Sequence, residues 1–170
     1  MDKRFTKFDI MEKDKLESFS NKINSKFLFD YDLKKSNWFN IGGKAKVYFK
    51  PDTLDDLVLF LKKFGEKERV FVLGAGSNIL MTDKIFDGVV VKLGKNFSNL
   101  SLLPNKIIVA GSAVTDKKLS EFAMNNNIGG FEFLSCIPGT VGGGLKINSG
   151  CFGSEFKDIL VSVQVIDKKG

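Results

Sequence analysis

The sequence contains no histidine. That removes the commonest general base and the commonest metal ligand, and it excludes Ser-His-Asp and Cys-His constellations. Cysteine is scarce, with only Cys136 and Cys151, too few for a zinc site of about four ligands. Both fall in an apolar stretch, which reads as reduced, packed thiols. Arginine is nearly missing as well: Arg4 and Arg69 are the only two among 26 basic residues. Surfaces that read bases and phosphates favour arginine, so the net charge of +6 reads as a solvated lysine surface and predicts no nucleic-acid partner. No apolar run approaches the roughly 18 residues that span a bilayer, and the start, Met-Asp-Lys-Arg-Phe-Thr-Lys, lacks the apolar core of a signal peptide. These absences predict a cytoplasmic protein without a membrane partner. The 43% hydrophobic and 27% charged composition over 170 residues fits one globular domain or two small ones.

What the chain has is glycine in two concentrated places. Residues 131–153 carry only Glu132 and Lys146 as charges among repeated glycines, whereas an exposed glycine loop would carry several polar residues for hydration. Two readings stand: the glycines make tight turns inside a packed core, or they let another group approach a row of backbone N–H groups. The second reading predicts a phosphate-bearing cofactor. A further loop, Gly74-Ala-Gly-Ser-Asn78, directly follows an apolar strand and tips the balance toward it. Neither loop matches a standard nucleotide fingerprint. The third glycine of a G-x-G-x-x-G motif is replaced by Ile79, and a P-loop starting at Gly139 has Leu145 and Lys146 where lysine and a hydroxyl belong.

Taken in order, residues 8–27 place Ile10, Met11, Leu16, Phe19, Ile23 and Phe27 at roughly helical spacing and predict an amphipathic helix. Asp30 to Asn40 read as a linker anchored by Trp38 and Phe39, Gly42-Gly43 as a turn, and Lys46–Lys50 as a strand. Thr53 is placed to cap a helix with Asp55 and Asp56 in its first turn, Lys62 and Lys63 in its last, and Leu54, Leu57, Val58, Leu61 and Phe64 on one face. Val70–Leu73 then reads as a buried strand, completing a right-handed βαβ unit, and Val89–Leu93 as a third strand. A boundary between two lobes is expected near Gly94. Beyond it come a polar turn region from Asn96 to Asn105, a strand over Lys106–Ala110, a helix capped by Thr115 and ended by Gly129-Gly130, a helical turn near Glu155–Ile159, and an alternating strand over Val161–Asp167.

Together these stretches resemble the UDP-N-acetylmuramate dehydrogenases, also called UDP-N-acetylenolpyruvoylglucosamine reductases. The likeness rests on Ile41-Gly-Gly-Lys-Ala45, Pro51-Asp-Thr-Leu-Asp-Asp-Leu57, Leu73-Gly-Ala-Gly-Ser-Asn-Ile-Leu80, Glu132-Phe-Leu-Ser-Cys-Ile-Pro-Gly-Thr-Val-Gly-Gly143, Asn148-Ser-Gly150 and Gly153-Ser-Glu155, over about residues 35–167. It implies an α+β fold, the two-lobed FAD-binding domain of the p-cresol methylhydroxylase (PCMH) type. A small βαβ lobe faces a larger lobe with an antiparallel sheet, divided here as an N-terminal helical segment 1–34, lobe one 35–93 and lobe two 94–170.

By the same resemblance, Gly74, Ala75, Gly76, Ser77 and Asn78 hold the FAD pyrophosphate through backbone N–H groups and the Ser77 hydroxyl. Ser135, Ile137, Pro138, Gly139, Thr140, Gly142, Gly143 and Asn148 line the ribityl chain and the flavin ring. The flavin is non-covalent, because no histidine is present to tether it. NADPH is the implied hydride donor and UDP-N-acetylglucosamine enolpyruvate the implied substrate. The catalytic arginine, serine and glutamate, and the domain that binds the UDP-sugar, have no counterpart in these 170 residues, so no catalytic residue is assigned and the chain alone is expected to be inactive. Ile85, Cys136, Ser149, Cys151 and Phe152 depart from the family in size. Another flavin oxidase or dehydrogenase of the same fold, or a non-catalytic nucleotide-binding module, remain the alternatives.

Overall fold

The computed structural model describes residues 10–170, with side chains from residue 14 onward. The N-terminal helix α1 runs over Ile10–Ser20 and buries Leu16 and Phe19; residues 8 and 9 of the expected helix lie outside the described residues. The helix is shorter than its periodicity suggested, because Phe27 belongs to strand β1, Lys26–Asp32. Phe27 and Phe29 alternate with Leu28, a period of two that the preceding helical spacing masks. β1 is antiparallel to β2, Lys44–Lys50, so the first sheet begins before residue 35 and the segment 1–34 is not wholly helical. Asp30 to Asn40 is therefore no plain linker: after β1 a 3-10 turn, Leu33–Ser36, is capped by the Asp32 carboxylate accepting from the Lys34 N–H at 2.9 Å. Trp38 and Phe39 do not anchor it, being 60% and 59% exposed.

Helix α2, Leu54–Phe60, starts where Thr53 Oγ1 accepts from the Asp56 N–H at 3.1 Å and continues as a π-turn over Leu61–Gly65. The buried face is Leu57, Phe60, Leu61 and Phe64, and Leu54 at the start of the helix is exposed, against expectation. Strands β3, Val70–Val72, and β4, Phe86–Val91, complete a four-stranded sheet in the order β1-β2-β4-β3, with β2, β4 and β3 mutually parallel. β3 is thus an edge strand with Phe71 and Val72 exposed, not a buried one. One sheet face packs Val47, Phe49, Val89 and Val91 against α1 and α2. Phenylalanine dominates there: Phe27 stacks on Phe49 at 4.3 Å, and Phe60 sits 4.7 Å from Phe49. The other face packs Tyr48 and Val90 against Leu33, Leu73, Ile79 and Met81.

From residue 100 onward a separate cluster forms around Val114, Leu119, Leu134, Val141 and Phe156. Leu100–Leu103 is strand β5, antiparallel to β6, Ile107–Ala110, so the expected polar turn region holds a strand and only the 3-10 turn Pro104–Lys106 reverses the chain. Helix α3, Asp116–Asn125, is capped by Thr115 Oγ1 accepting from the Lys118 N–H at 3.3 Å. A 3-10 turn, Glu132–Cys136, leads to helix α4, Val141–Ile147, the short hairpin β7–β8 (Gly150–Cys151, Ser154–Glu155) and helix α5, Phe156–Ile159. Residues 160–166 form no strand and pair with nothing, and Val161 is 77% exposed. Alternation marks a strand only where a partner supplies the ladder, and among the described residues none does. The end of the chain instead turns back toward α2, where Gly65 and Gly170 pack too closely for a side chain.

Candidate functional site

The two glycine stretches meet. A Cβ on Gly74 would stand 2.8 Å from Thr140 Oγ1 and 3.9 Å from the Gly143 Cα. The Gly74–Asn78 loop leaves the carboxyl end of β3, where ligands of open parallel sheets collect. Its hydrogen bonding is one-sided. The Gly74 carbonyl accepts from Lys92 Nζ and the Gly76 carbonyl from the Trp38 N–H, whereas no amide from Gly74 to Asn78 donates to a described protein acceptor. Nor do the Ser77 and Asn78 side chains bond to one. A loop with two carbonyls tied back and its amides without protein acceptors among the described residues can receive an anion.

The glycines divide by role. Gly76 has φ of +74°, and a side chain there would overlap the Ser36 carbonyl and the Asn37 backbone, so its bareness serves packing against the 3-10 turn as well as backbone conformation. Asn37 fixes that turn through Nδ2, which donates to the Leu33 and Ile41 carbonyls at 3.0 and 2.8 Å. In the second stretch Gly142 donates its amide to Ser112 O at 2.9 Å and packs on Ser112, and Gly144 admits the Phe156 ring. Gly143 alone of the three is open, meeting only Thr140 Oγ1 at 3.4 Å. Thr140 precedes α4 without a side-chain capping bond, and its hydroxyl faces Gly74.

The remaining predicted site residues lie farther apart. The Ile137 N–H donates to Leu134 O and the Gly139 carbonyl accepts from the Asp116 N–H at 3.2 Å, while Pro138 is exposed. Ser135 donates to Glu132 O at 2.7 Å and lines a cleft of about 390 Å³ with Met124, Ile128 and Phe131, on the side of α3. Asn148 closes α4 in a left-handed conformation. Its Nδ2 donates to Glu155 Oε2 at 2.8 Å and its Oδ1 accepts from the Lys157 N–H at 3.0 Å, so it works as a brace for the β7–β8 hairpin. Cys136 is exposed and Cys151 half-buried, and both are free; the expectation of two packed thiols fails for Cys136, which follows the outward side of a 3-10 turn.

Three residues escaped sequence reasoning. Lys92 was one lysine of many, and only its bond to the Gly74 carbonyl marks it. Ser36 backs Gly76 through its carbonyl alone. Asp116 sits at the first turn of α3, fully buried, both carboxylate oxygens without a partner, against the Gly139 Cα. Burial pushes its carboxyl up from the ordinary 3.8 to about 6. The signal that could have found it is the adjacency of an acid to an N-cap threonine, but that pattern ordinarily marks an exposed first-turn acid.

Residues 45–170 match the family described as an FAD binding domain. The chain belongs to this family. It is 71% identical over 160 residues to the UDP-N-acetylenolpyruvoylglucosamine reductase of Pelagibacter ubique, covering 94% of this chain and 53% of that protein. The reductase of the same name from Rickettsia akari is 46% identical over 148 residues, covering 87% and 50%. The crystal structure of UDP-N-acetylenolpyruvylglucosamine reductase from Thermus caldophilus superposes with a TM-score of 0.63 at 26% identity, over 78% of this chain and 45% of that one. The chain thus spans about half the length of the curated relatives it matches, and its α+β architecture is that of the FAD-binding fold.

Proposed function

We propose that this chain is the FAD-holding portion of an NADPH-dependent UDP-N-acetylenolpyruvoylglucosamine reductase. The observation that carries the reading is the run of amides at Gly74, Ala75, Gly76, Ser77 and Asn78 without protein acceptors among the described residues, next to the close approach of Gly74 to Thr140 and Gly143. A diphosphate fits such a row: it carries about two negative charges and needs donors that reorganise little. The Ser77 hydroxyl, without a partner among the described residues, adds a further donor. Gly143 and Thr140 continue the same surface toward the ribityl chain; Ser135, Ile137, Pro138, Gly139 and Gly142 are assigned to the flavin by the family resemblance alone. Asn148 acts there through the brace it makes with Glu155 and the Lys157 amide.

FAD, when bound, supplies hydride transfer between the nicotinamide donor and the enolpyruvyl group. The chain's own part is to bind and orient: the glycine loops set the backbone donors, and the α3–α4 packing around Leu134, Val141 and Phe156 keeps the second wall rigid. The lobes divide near Gly94 in this reading; Phe97, just beyond it, still packs on the first cluster, and the second takes residues from Leu100 onward. The UDP-sugar and the proton donor belong to sequence that the relatives carry and these residues do not match, and a cytoplasmic location follows from the substrate. Reconstitution with FAD, followed by flavin absorbance and fluorescence quenching, tests the reading. Weak or partial FAD uptake is expected, seen as a saturable change in flavin fluorescence; no change up to saturating FAD refutes the reading.

A further inference from the structure

Three lysines stand in a row across the sheet. Lys26 of β1 lies opposite Lys50 of β2 in the register. Lys92 follows directly on β4, one residue beyond the Phe49–Val91 pair, and the ladder continues through the Lys92 N–H donating to Phe49 O at 2.9 Å. The alternation that sends Val47, Phe49, Val89 and Val91 to the helix-covered face sends Tyr48, Val90 and therefore Lys50 and Lys92 to the opposite one. That is the face covered by the segment from Leu73 to Met81; at the carboxyl end of β4 Lys92 reaches the glycine loop that leaves β3, and Lys50 lies beside Lys92 on the next strand, β2.

The row is unpaired. The Lys50 side chain makes no hydrogen bond or ion pair among the described residues, and the Lys92 ammonium bonds only to the Gly74 carbonyl. Like charges placed side by side on neighbouring strands destabilise a sheet, so the fold itself gains nothing from the arrangement. Lys92 is half-buried, and burial first, then the charge of Lys50, push its ammonium below the ordinary lysine value. Two cations held together, one of them partly desolvated, next to five free amides form a surface completed by a multivalent anion.

We propose that Lys50 and Lys92 supply the positive charge that, with the Gly74–Asn78 amides, binds the diphosphate of the dinucleotide. Lys92 also acts on the loop itself, since by holding the Gly74 carbonyl it keeps the amides turned toward the anion. Lys26, exposed at the end of the row, contributes at longer range and is screened by salt. The inference rests on the FAD reading for the identity of the ligand but not for its chemistry, which is that of a diphosphate.

The test uses the 170-residue chain with FAD, riboflavin and inorganic pyrophosphate as probes. Lys50→Gln removes a charge without removing a side-chain hydrogen bond or ion pair among the described residues, and should weaken FAD roughly ten- to a hundredfold, as loss of a charge-assisted bond does, while leaving riboflavin affinity unchanged. Lys92→Gln should weaken FAD at least as much and Lys92→Arg should restore most of it. FAD affinities of Lys50→Gln and Lys92→Gln equal to the parent's overturn the inference and leave the FAD reading intact. If the parent takes up no FAD, pyrophosphate decides: a rise in Tm with pyrophosphate that Lys50→Gln lacks still supports the anion site, and no rise in the parent overturns it.

Discussion

Replacing Asp116 by asparagine should stabilise the protein at neutral pH. The carboxylate is fully buried, neither oxygen has a partner, and the Gly139 Cα closes over it. A carboxyl moved from 3.8 to about 6 is shifted by about 2 units, and at about 1.4 kcal/mol per unit the ionised form is disfavoured by roughly 3 kcal/mol. The start of α3 opposes this, since a helix N-terminus favours an anion by about 0.3–1 kcal/mol, too little to reverse the sign. Folded protein therefore holds this proton more tightly than the unfolded chain does. Its contribution is fully present below pH about 4 and is lost as pH rises through about 6; above that, the buried charge is a constant burden.

Urea unfolding of the parent and Asp116→Asn from pH 4 to pH 8 measures the effect. The asparagine variant's advantage should grow by about 2–3 kcal/mol between those limits and then level off. The quantity that matters is this growth, because an unpartnered amide carries its own desolvation cost at every pH. A difference that stays flat with pH, or one that favours the parent more strongly at pH 8 than at pH 4, would mean that Asp116 is ionised and paired in solution, and the reasoning would fall.

Gly76→Val should lose FAD binding and also cost about 3 kcal/mol or more, because a β-branched residue at positive φ is strained and its side chain collides with the Ser36–Asn37 backbone; unchanged stability on chemical denaturation would contradict the packing role. Gly144→Ala should destabilise by about 1–3 kcal/mol by displacing the Phe156 ring. Gly143→Ala should leave stability unchanged or slightly raised, as alanine for glycine in a helix does, yet weaken FAD; a thermal melt and a flavin titration on both variants separate the roles, and equal behaviour would refute the division. The exposed run Val161, Val163 and Val165 should drive association of the 170-residue chain as concentration rises. Lysines at Val161 and Val165 should reduce it in size-exclusion chromatography, and a concentration-independent elution volume for the parent would show that the run is harmless.

Where local chemistry is enough, the sequence is readable. Thr53 and Thr115 cap their helices with the hydroxyl-to-amide bonds expected of that residue at that offset, and Gly74–Asn78 stands out because glycines directly after an apolar strand mark a close approach of backbone to another group. Reading failed where two periods overlap or where a partner decides. Phe19, Ile23 and Phe27 keep a four-residue spacing across a helix end, and only the pairing with Phe49 makes Phe27 a strand residue. Leu100–Leu103 is a strand because Ile107–Ala110 lies beside it. Residues 161–166 carry the cleaner alternation and form nothing, since propensity without a ladder neighbour leaves the backbone donors to water.

The glycines show the same dependence most sharply. One run, Gly142-Gly143-Gly144, reads in sequence as a single flexible cradle, yet its members face Ser112, the Gly74 loop and the Phe156 ring in turn. Successive helical positions rotate by about 100°, so the Cα faces of three adjacent glycines meet different neighbours, and the middle one faces the Gly74 loop. Close packing accounts for the bareness of Gly139, Gly142 and Gly144, and the open face of Gly143 is the one that the packing does not explain. Charge must come from elsewhere in the fold. At the loop it comes from Lys92 and Lys50, brought there by strands that the sequence places some 40 residues apart, a juxtaposition that only the parallel register of β2 and β4 creates.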